Sequence, residues 1–523
     1  MSLTATSRRL NAASDLLDRH LADPAQAARI AVTDDAGAYS FAALSERVNR
    51  AGNALAALGV RREERVLLSL EDSVDFHAAF LGAMKIGAVP VPINTLLTAE
   101  DQGYLLHDSR ATAVVVSERL HGKLQPALAN APALRTAVVS GGQVPGLPRF
   151  SELLSAASPS LAAADTSPDD MAFWLYSSGS TGRPKGAVHL HSHIGQTASL
   201  YGEGVLGVRA TDVVFSAAKL FFAYGLGNAL TFPLHSGARS VLRAARPTPE
   251  LVLQTLARES VTIFGGVPTL FASLLAYADA QGAAALPRLS LRCCISAGEA
   301  LPKEIGERWR ARFGVDILDG IGSTEMLHIF ISNRHGDVRY GSSGTPVPGY
   351  QAKLLDDQGR EIEGEGEGQL WVSGPSAAAA YWNNRAHSLA TFQGPWTRTG
   401  DVYRRDADGV FTYGGRSDDM LKVGGIWVSP FEVESALLGH PSVLEAAVVG
   451  CADSDELIKP KAFVVLKDAG QASPALEAEL KAFVKARLAP YKYPRWIEFT
   501  RELPRTATGK IQRFKLRAEA PAK

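Results

Sequence analysis

The sequence predicts an α/β protein with a large N-terminal domain of mainly parallel βα layers and a small, mobile C-terminal α+β domain. From Phe41 to about Ser240, helix-periodic segments alternate with short β-branched runs such as RVLLSL, ATAVVVS and TAVVSG, the mark of repeated βα units. Between Val261 and Ile331, the runs VTIFGGVP, LRCCISAGEAL and VDILDGIGSTEM each end in small or polar residues, as strand ends facing a shared crevice do. After GRSDDMLKVGG the pattern contracts to a helix near Pro430 to Leu438, strands at LEAAVVG and KAFVVL, and a helix at ALEAELKAFVKARL. The chain of 523 residues exceeds one hydrophobic core, and the division falls into 1–417 and 418–523.

Composition excludes several classes of function. Lys plus Arg equals Asp plus Glu at 54 each, so the chain as a whole carries no electrostatic footprint for nucleic acid or an anionic membrane, and any anion must be met locally. Three cysteines, two of them vicinal (Cys293 and Cys294) and one remote (Cys451), give neither a disulfide framework nor metal-ligand spacing; a reducing cytoplasm fits. The N-terminal stretch lacks the continuous apolar core of a signal peptide, and the later run AAFLGAMKIGAVPVPI is interrupted by Lys85 and two prolines, so no membrane span is expected. Leu154 to Asp170, rich in Ala, Ser, Pro and Asp, reads as an exposed connector leading into the strand MAFWLY. EIEGEGEGQLWVSG reads as a solvated turn before an apolar strand rather than a metal site.

Directly after MAFWLY comes YSSGSTGRPKG, Tyr176 to Gly186. A Walker A loop needs Gly, four residues, then Gly-Lys-Ser/Thr; here the fifth residue after Gly179 is Pro184, and the pattern fails. The residue types still suit phosphate. Ser177, Ser178, Ser180 and Thr181 offer hydroxyl donors, Gly179 and Gly182 let the backbone approach a ligand, and Lys185 supplies a positive charge.

YSSGSTGRPKG resembles the signature loop of the AMP-forming acyl-adenylate superfamily, and four later motifs follow in that family's order: GIGSTEM, TGD at Thr399 to Asp401, GRSDDMLKVGG and LPRTATGKIQR. The resemblance spans nearly the whole chain and implies the adenylate-forming enzyme fold, with ATP, Mg²⁺ and coenzyme A as cofactors. It assigns Mg²⁺ to Glu325, a carboxylate just beyond an apolar strand that can hold the ion against ATP oxygens, and places Thr324 on the α-phosphate or the acid. Asp401 and Arg416 fall on the ribose, a diol that a carboxylate can accept from twice. Ala297, Gly298 and Glu299 border the adenine, although Ile321 stands where many relatives carry a stacking aromatic. Lys510 is the implied catalytic lysine, which counters the charge developing as carboxylate meets triphosphate; the acid is already ionised, so no general base is needed. Asp418 is the implied hinge, about which the small domain turns to present Gly424 and Gly425 beside the pantetheine thiol, with Lys492 on the CoA phosphates.

KLFFAYGLGNALTFPL and DGIGSTEMLHIFIS are worded most like benzoate–CoA ligases. Ala223, Tyr224, Phe232, Gly322 and Ile329 form, on this reading, a flat apolar slot for a benzene ring. The implied partner is thus a small aromatic carboxylic acid, benzoate first and a substituted benzoate second, with a carrier-protein-loading enzyme as the remaining alternative. A homodimer is allowed for.

Overall fold

The runs VTIFGG, RCCIS and DILDGIG become three neighbouring parallel strands, Ile263–Gly266, Cys293–Ser296 and Ile317–Gly322, whose C-terminal ends lie side by side. The computed structural model in which they are seen describes residues 9–177, 183–281, 288–416, 419–423, 426–453, 457–488, 492–505 and 511–518. These strands form the middle of a nine-stranded sheet that continues through Val213–Ser216, Arg239–Val241 and Ile30–Thr33 in parallel, and adds antiparallel strands at both edges. The early βα units supply a second sheet of four parallel strands, ordered Val89–Pro92, Arg65–Ser69, Ala113–Ser117 and Thr136–Ser140. The α/β reading holds. A five-stranded antiparallel sheet built from residues 351–416 was not foreseen beyond the turn before Gln369–Ser373.

Between the two parallel sheets lie the helices Phe41–Ala57 and Val74–Lys85. Ser40 starts the first by accepting the Ala43 N–H at 3.1 Å, and Phe41, Leu44, Val48, Ala51 and Leu55 recur at helical spacing on its buried side. Each large apolar side chain so buried contributes roughly 1.5–3 kcal/mol. The second helix is buried on every side, which requires close approach to the first. A Cβ at Gly82 would lie 2.8 Å from the Gly52 nitrogen and 2.9 Å from the Val48 carbonyl oxygen, so any side chain there forces the pair apart. Lys85, which broke the apolar run in the sequence, ends this helix with its ammonium buried and paired to Asp18 at 2.7 Å and to Asn49 at 2.7 Å. No helix among the described residues is long and apolar enough to cross a membrane.

The C-terminal unit has its own core. Strands Val443–Ala452, Ile458–Leu466 and Trp496–Phe499 form a sheet on which helices Pro430–Leu438 and Pro474–Lys485 pack through Val433, Leu437, Leu476, Leu480 and Val484. Both helices begin with a serine cap and a proline in the first turn. The expected boundary at 417/418 lies outside the described residues.

Candidate active site

The phosphate-loop candidate is the connection of a hairpin. Strands Met171–Ser177 and Lys185–Leu190 run antiparallel with Ser177 opposite Lys185, so the loop does not lead straight into a helix as a Walker A loop does. Ser178, Gly179, Ser180, Thr181 and Gly182 lie outside the described residues; the hairpin brings their neighbours Ser177 and Lys185 to the crevice wall. Ser177 Oγ donates to Glu325 Oε1 at 3.1 Å, joining the first and second motifs across 148 residues.

Glu325 sits in a tight turn after the strand Ile317–Gly322. The Leu327 N–H closes that turn on the Thr324 carbonyl at 3.1 Å and the Met326 N–H bonds Ser323 Oγ at 3.2 Å, while Leu327 takes a left-handed φ of 66°, a strained conformation for a leucine. The same Oε1 accepts the Tyr381 hydroxyl at 2.7 Å, and Lys185 Nζ lies 4.9 Å over the Tyr381 ring. Oε2 takes no hydrogen bond from the described residues. A carboxylate with one oxygen fixed and the other open suits a hard divalent cation, and the described residues offer no cluster of three ligands, so phosphate oxygens and water would complete such a shell. Tyr381 is the residue sequence reading missed; the available signal was the aromatic pair YW after four alanines.

Burial first, and Glu325's charge next, push the Tyr381 hydroxyl pKa up, with Arg416 acting in the opposite sense. Arg416 therefore lies within electrostatic reach of the acidic turn. It donates to Asp401 at 3.1 Å and to the Thr399 carbonyl at 3.2 Å from the neighbouring antiparallel strand, where Asp401 is its direct partner in register. Beside the turn, Ala297 is buried and Gly298 has a φ of 92°; a Cβ there would find only Val267, at 4.0 Å, so the backbone borders open space. Asp319, next in the sheet, was also missed. Burial raises its pKa well above the carboxylate range, and its Oδ1 lacks a partner among the described residues.

Several of the residues expected to form the acid pocket pack around His328. Its ring meets Phe232 edge-on with centroids 4.5 Å apart, and Tyr201 and Tyr224 at 5.2 and 5.7 Å. Two π-helical turns, Ala198–Glu203 and Gly227–Thr231, carry Tyr201 and the segment between Tyr224 and Phe232 to this place. Missing side chains shape the space. A Cβ at Gly227 would fall 2.3 Å from His328 Cδ2, and one at Gly322 would fall 2.6 Å from the His328 carbonyl oxygen. The Tyr224 hydroxyl donates between the carbonyls of Ile295 at 2.9 Å and Gly266 at 3.1 Å. Ala223 is part-buried, whereas Ile329 and Phe232 are fully buried, Phe232 behind the imidazole. Burial lowers the His328 pKa to about 3, so the ring is neutral.

The small unit approaches this crevice at Glu299, which stands 3.8 Å from Arg505. Arg505 pairs as a bridge with Ile511; Lys510 lies outside the described residues, as do Asp418, Gly424 and Gly425. Lys492 pairs with Glu432 at 2.5 and 2.7 Å.

The chain is similar in sequence and structure to known proteins. A benzoate–CoA ligase of Thauera aromatica is 57% identical over 98% of this chain and 96% of its own length. A 4-hydroxybenzoate–CoA/benzoate–CoA ligase of Rhodopseudomonas palustris is 48% identical over 98% and 94%. The crystal structure of a benzoate CoA ligase from Burkholderia xenovorans LB400 superposes with a TM-score of 0.89 at 51% identity, covering 97% of this chain and 99% of that one. Models of the AMP-binding enzyme and of its C-terminal domain match residues 20–382 and 432–510, and with its strand-end crevice and following small unit the chain belongs to the AMP-binding enzyme family.

Proposed function

We propose that this protein is a benzoate–CoA ligase, converting ATP, benzoate and CoA to AMP, pyrophosphate and benzoyl-CoA through benzoyl-adenylate. The observation that carries the reading is the full-length similarity to a benzoate–CoA ligase, 57% over 98% of the chain. The site's chemistry agrees with it. Benzoate enters the slot between Tyr224, Gly322 and Ile329, and one carboxylate oxygen attacks the α-phosphorus of ATP as the bond to pyrophosphate breaks. Lys510 offsets the charge that builds on phosphorus, and Ser177 with Lys185 and the serines and threonine beyond it hold the departing phosphates. Glu325, oriented by Ser177 and Tyr381, would hold Mg²⁺, whose charge offsets that of the triphosphate. Asp401 and Arg416 take the ribose and Ala297 to Glu299 the base. The small domain, 418–523, then turns about Asp418 to bring Gly424, Gly425 and Lys492 to CoA; its thiolate attacks the acyl carbon and AMP leaves.

A second reading, a ligase for substituted benzoates, is favoured by unused polarity near the ring slot. Both amide atoms of buried Asn228 and the Nδ1 of His328 lack partners among the described residues, and a Cβ at Gly265 would lie 3.2 Å from Asn228 Nδ2 and 3.4 Å from the Tyr224 hydroxyl. The buried cysteines Cys293, Cys294 and Cys451 form no disulfide, which accords with a cytoplasmic setting, and a homodimer is the assembly to be tested by light scattering.

Rates with benzoate, fluoro-, hydroxy- and methylbenzoates and short fatty acids, with free CoA as acceptor, test the proposal. Benzoate should lead. A preference for an aliphatic acid, or no thioester formed on free CoA, overturns it.

A further inference from the structure

The strand Lys185–Leu190 that returns from the glycine-rich loop runs through HLHSH into the helix His191–Thr197, and the first histidine of that run reaches the acidic turn from behind. His189 is wholly buried, stacks on Phe173 with centroids 5.2 Å apart, and places Nε2 at 2.8 Å from the Thr324 carbonyl oxygen. A carbonyl only accepts, so Nε2 carries a proton. In a neutral ring Nδ1 is then the acceptor, and His193 Nδ1 stands 3.2 Å from it as the donor. Burial lowers His189 to about 4 and His193 to about 3, which keeps both rings neutral. The result is a chain of donors, His193 to His189 to the Thr324 carbonyl. The Leu190 N–H, 3.3 Å from the same His193 nitrogen, is the contact this arrangement leaves unmade. Making it instead would leave the buried Nδ1 of His189 without a donor.

The gripped carbonyl is the one immediately before Glu325. It already accepts the Leu327 N–H at 3.1 Å within the strained turn, so losing the histidine would not leave it unsatisfied. Losing it would free the peptide that aims the carboxylate. We propose that His189 is a positioning residue for adenylate formation: by holding the Thr324 carbonyl it fixes the direction of Glu325, and His193 locks the tautomer that makes this possible. The inference rests on the adenylating function proposed above and adds a part to it. It also predicts that the effect is confined to one half-reaction, because Glu325 is needed while triphosphate is present and not afterwards.

The test measures benzoate-dependent ATP–pyrophosphate exchange as a function of Mg²⁺, beside thioester formation from pre-made benzoyl-adenylate and CoA. His189→Leu should slow exchange about tenfold or more and raise the Mg²⁺ needed for half-maximal rate, while thioester formation stays within about twofold. His189→Gln, whose amide nitrogen falls near the place of Nε2, should recover exchange to within about threefold; His189→Asn, which reaches only as far as Nδ1, should not. If His189→Leu does not fold, the Gln-against-Asn contrast decides alone. Equal loss in Gln and Asn, or parallel loss in both half-reactions, overturns the proposal. Absence of exchange in the unmodified enzyme with every aromatic acid overturns instead the function on which it stands.

Discussion

The two walls of the crevice are held by opposite kinds of force. On the large-domain side, the Glu325 turn is fixed by short bonds from uncharged donors, Ser177 and Tyr381 on the carboxylate and His189 on the preceding carbonyl, all rooted in strands that pair along their length. On the small-domain side, the approach is made by part-exposed ions. Glu299 and Arg505 stand 3.8 Å apart, Arg505 also meets Glu445 at 3.1 Å, and an aromatic pair, Tyr413 with Phe431, adds contact at 5.5 Å. Part-exposed ion pairs of this kind contribute about 0–1 kcal/mol. The contrast teaches a division of labour. The wall that holds one carboxylate is built for a single geometry, and the wall proposed to leave is built from interactions water can replace.

Removing the group that the small domain delivers should produce the largest effect. Lys510→Ala is expected to lower benzoyl-adenylate formation by about a thousandfold while thioester formation from pre-made adenylate stays within about threefold, both read by single-turnover quench. Equal losses would mean that the two walls act as one unit and that the division is false.

Acid should attack the buried core of the large domain before the seam. Burial lowers the pKa values of His77 and His191 to about 4 and of His328 to about 3. Their folded values lie below the unfolded value of 6.5, so the unfolded chain binds more protons between these limits; the stability is present above about 6.5 and lost as pH falls toward 4. Each such histidine costs on the order of 2 kcal/mol at pH 5. Urea unfolding at pH 7 and pH 5 should show the fall, and His77→Gln, at a position where neither ring nitrogen has a partner among the described residues, should make it shallower. An unchanged slope in that variant would place the acid sensitivity elsewhere.

The smallest effect belongs to the seam. Arg505→Gln should slow adenylation about two- to threefold at low ionic strength, with the difference shrinking as salt approaches about 0.5 M and the screening length shortens. A loss that ignores salt would show that Arg505 packs rather than pairs.

Much of the fold was legible because its signals are local. The β-branched runs, the small residues at strand ends and the capped helices each state their structure within a dozen residues, and the parallel strands and crevice follow from them. The candidate site was legible as a neighbourhood where residues of one motif stay together, as with Thr324 and Glu325, or sit opposite in register, as with Asp401 and Arg416. It was not legible where the meaning of a residue lies in a distant partner. Tyr381 is an ordinary tyrosine until it meets Glu325, 56 residues away, and His189 an ordinary strand histidine until it meets Thr324, 135 residues away. The π-helical turns escaped for another reason: their register is set by packing around His328 and leaves no mark in apolar periodicity. Lys85 argued against a membrane helix, yet only the fold reveals that Asp18 and Asn49 wait for it inside.

Arg416 closes its strand two residues before Asp418, the position proposed as the pivot. A nucleotide gripped by Asp401 and Arg416 would therefore be anchored at the root of a lever rather than at its tip, where even a large swing displaces little. AMP could keep its seat through the whole turn of the small domain, and the same anchorage would serve the intermediate in both halves of the cycle.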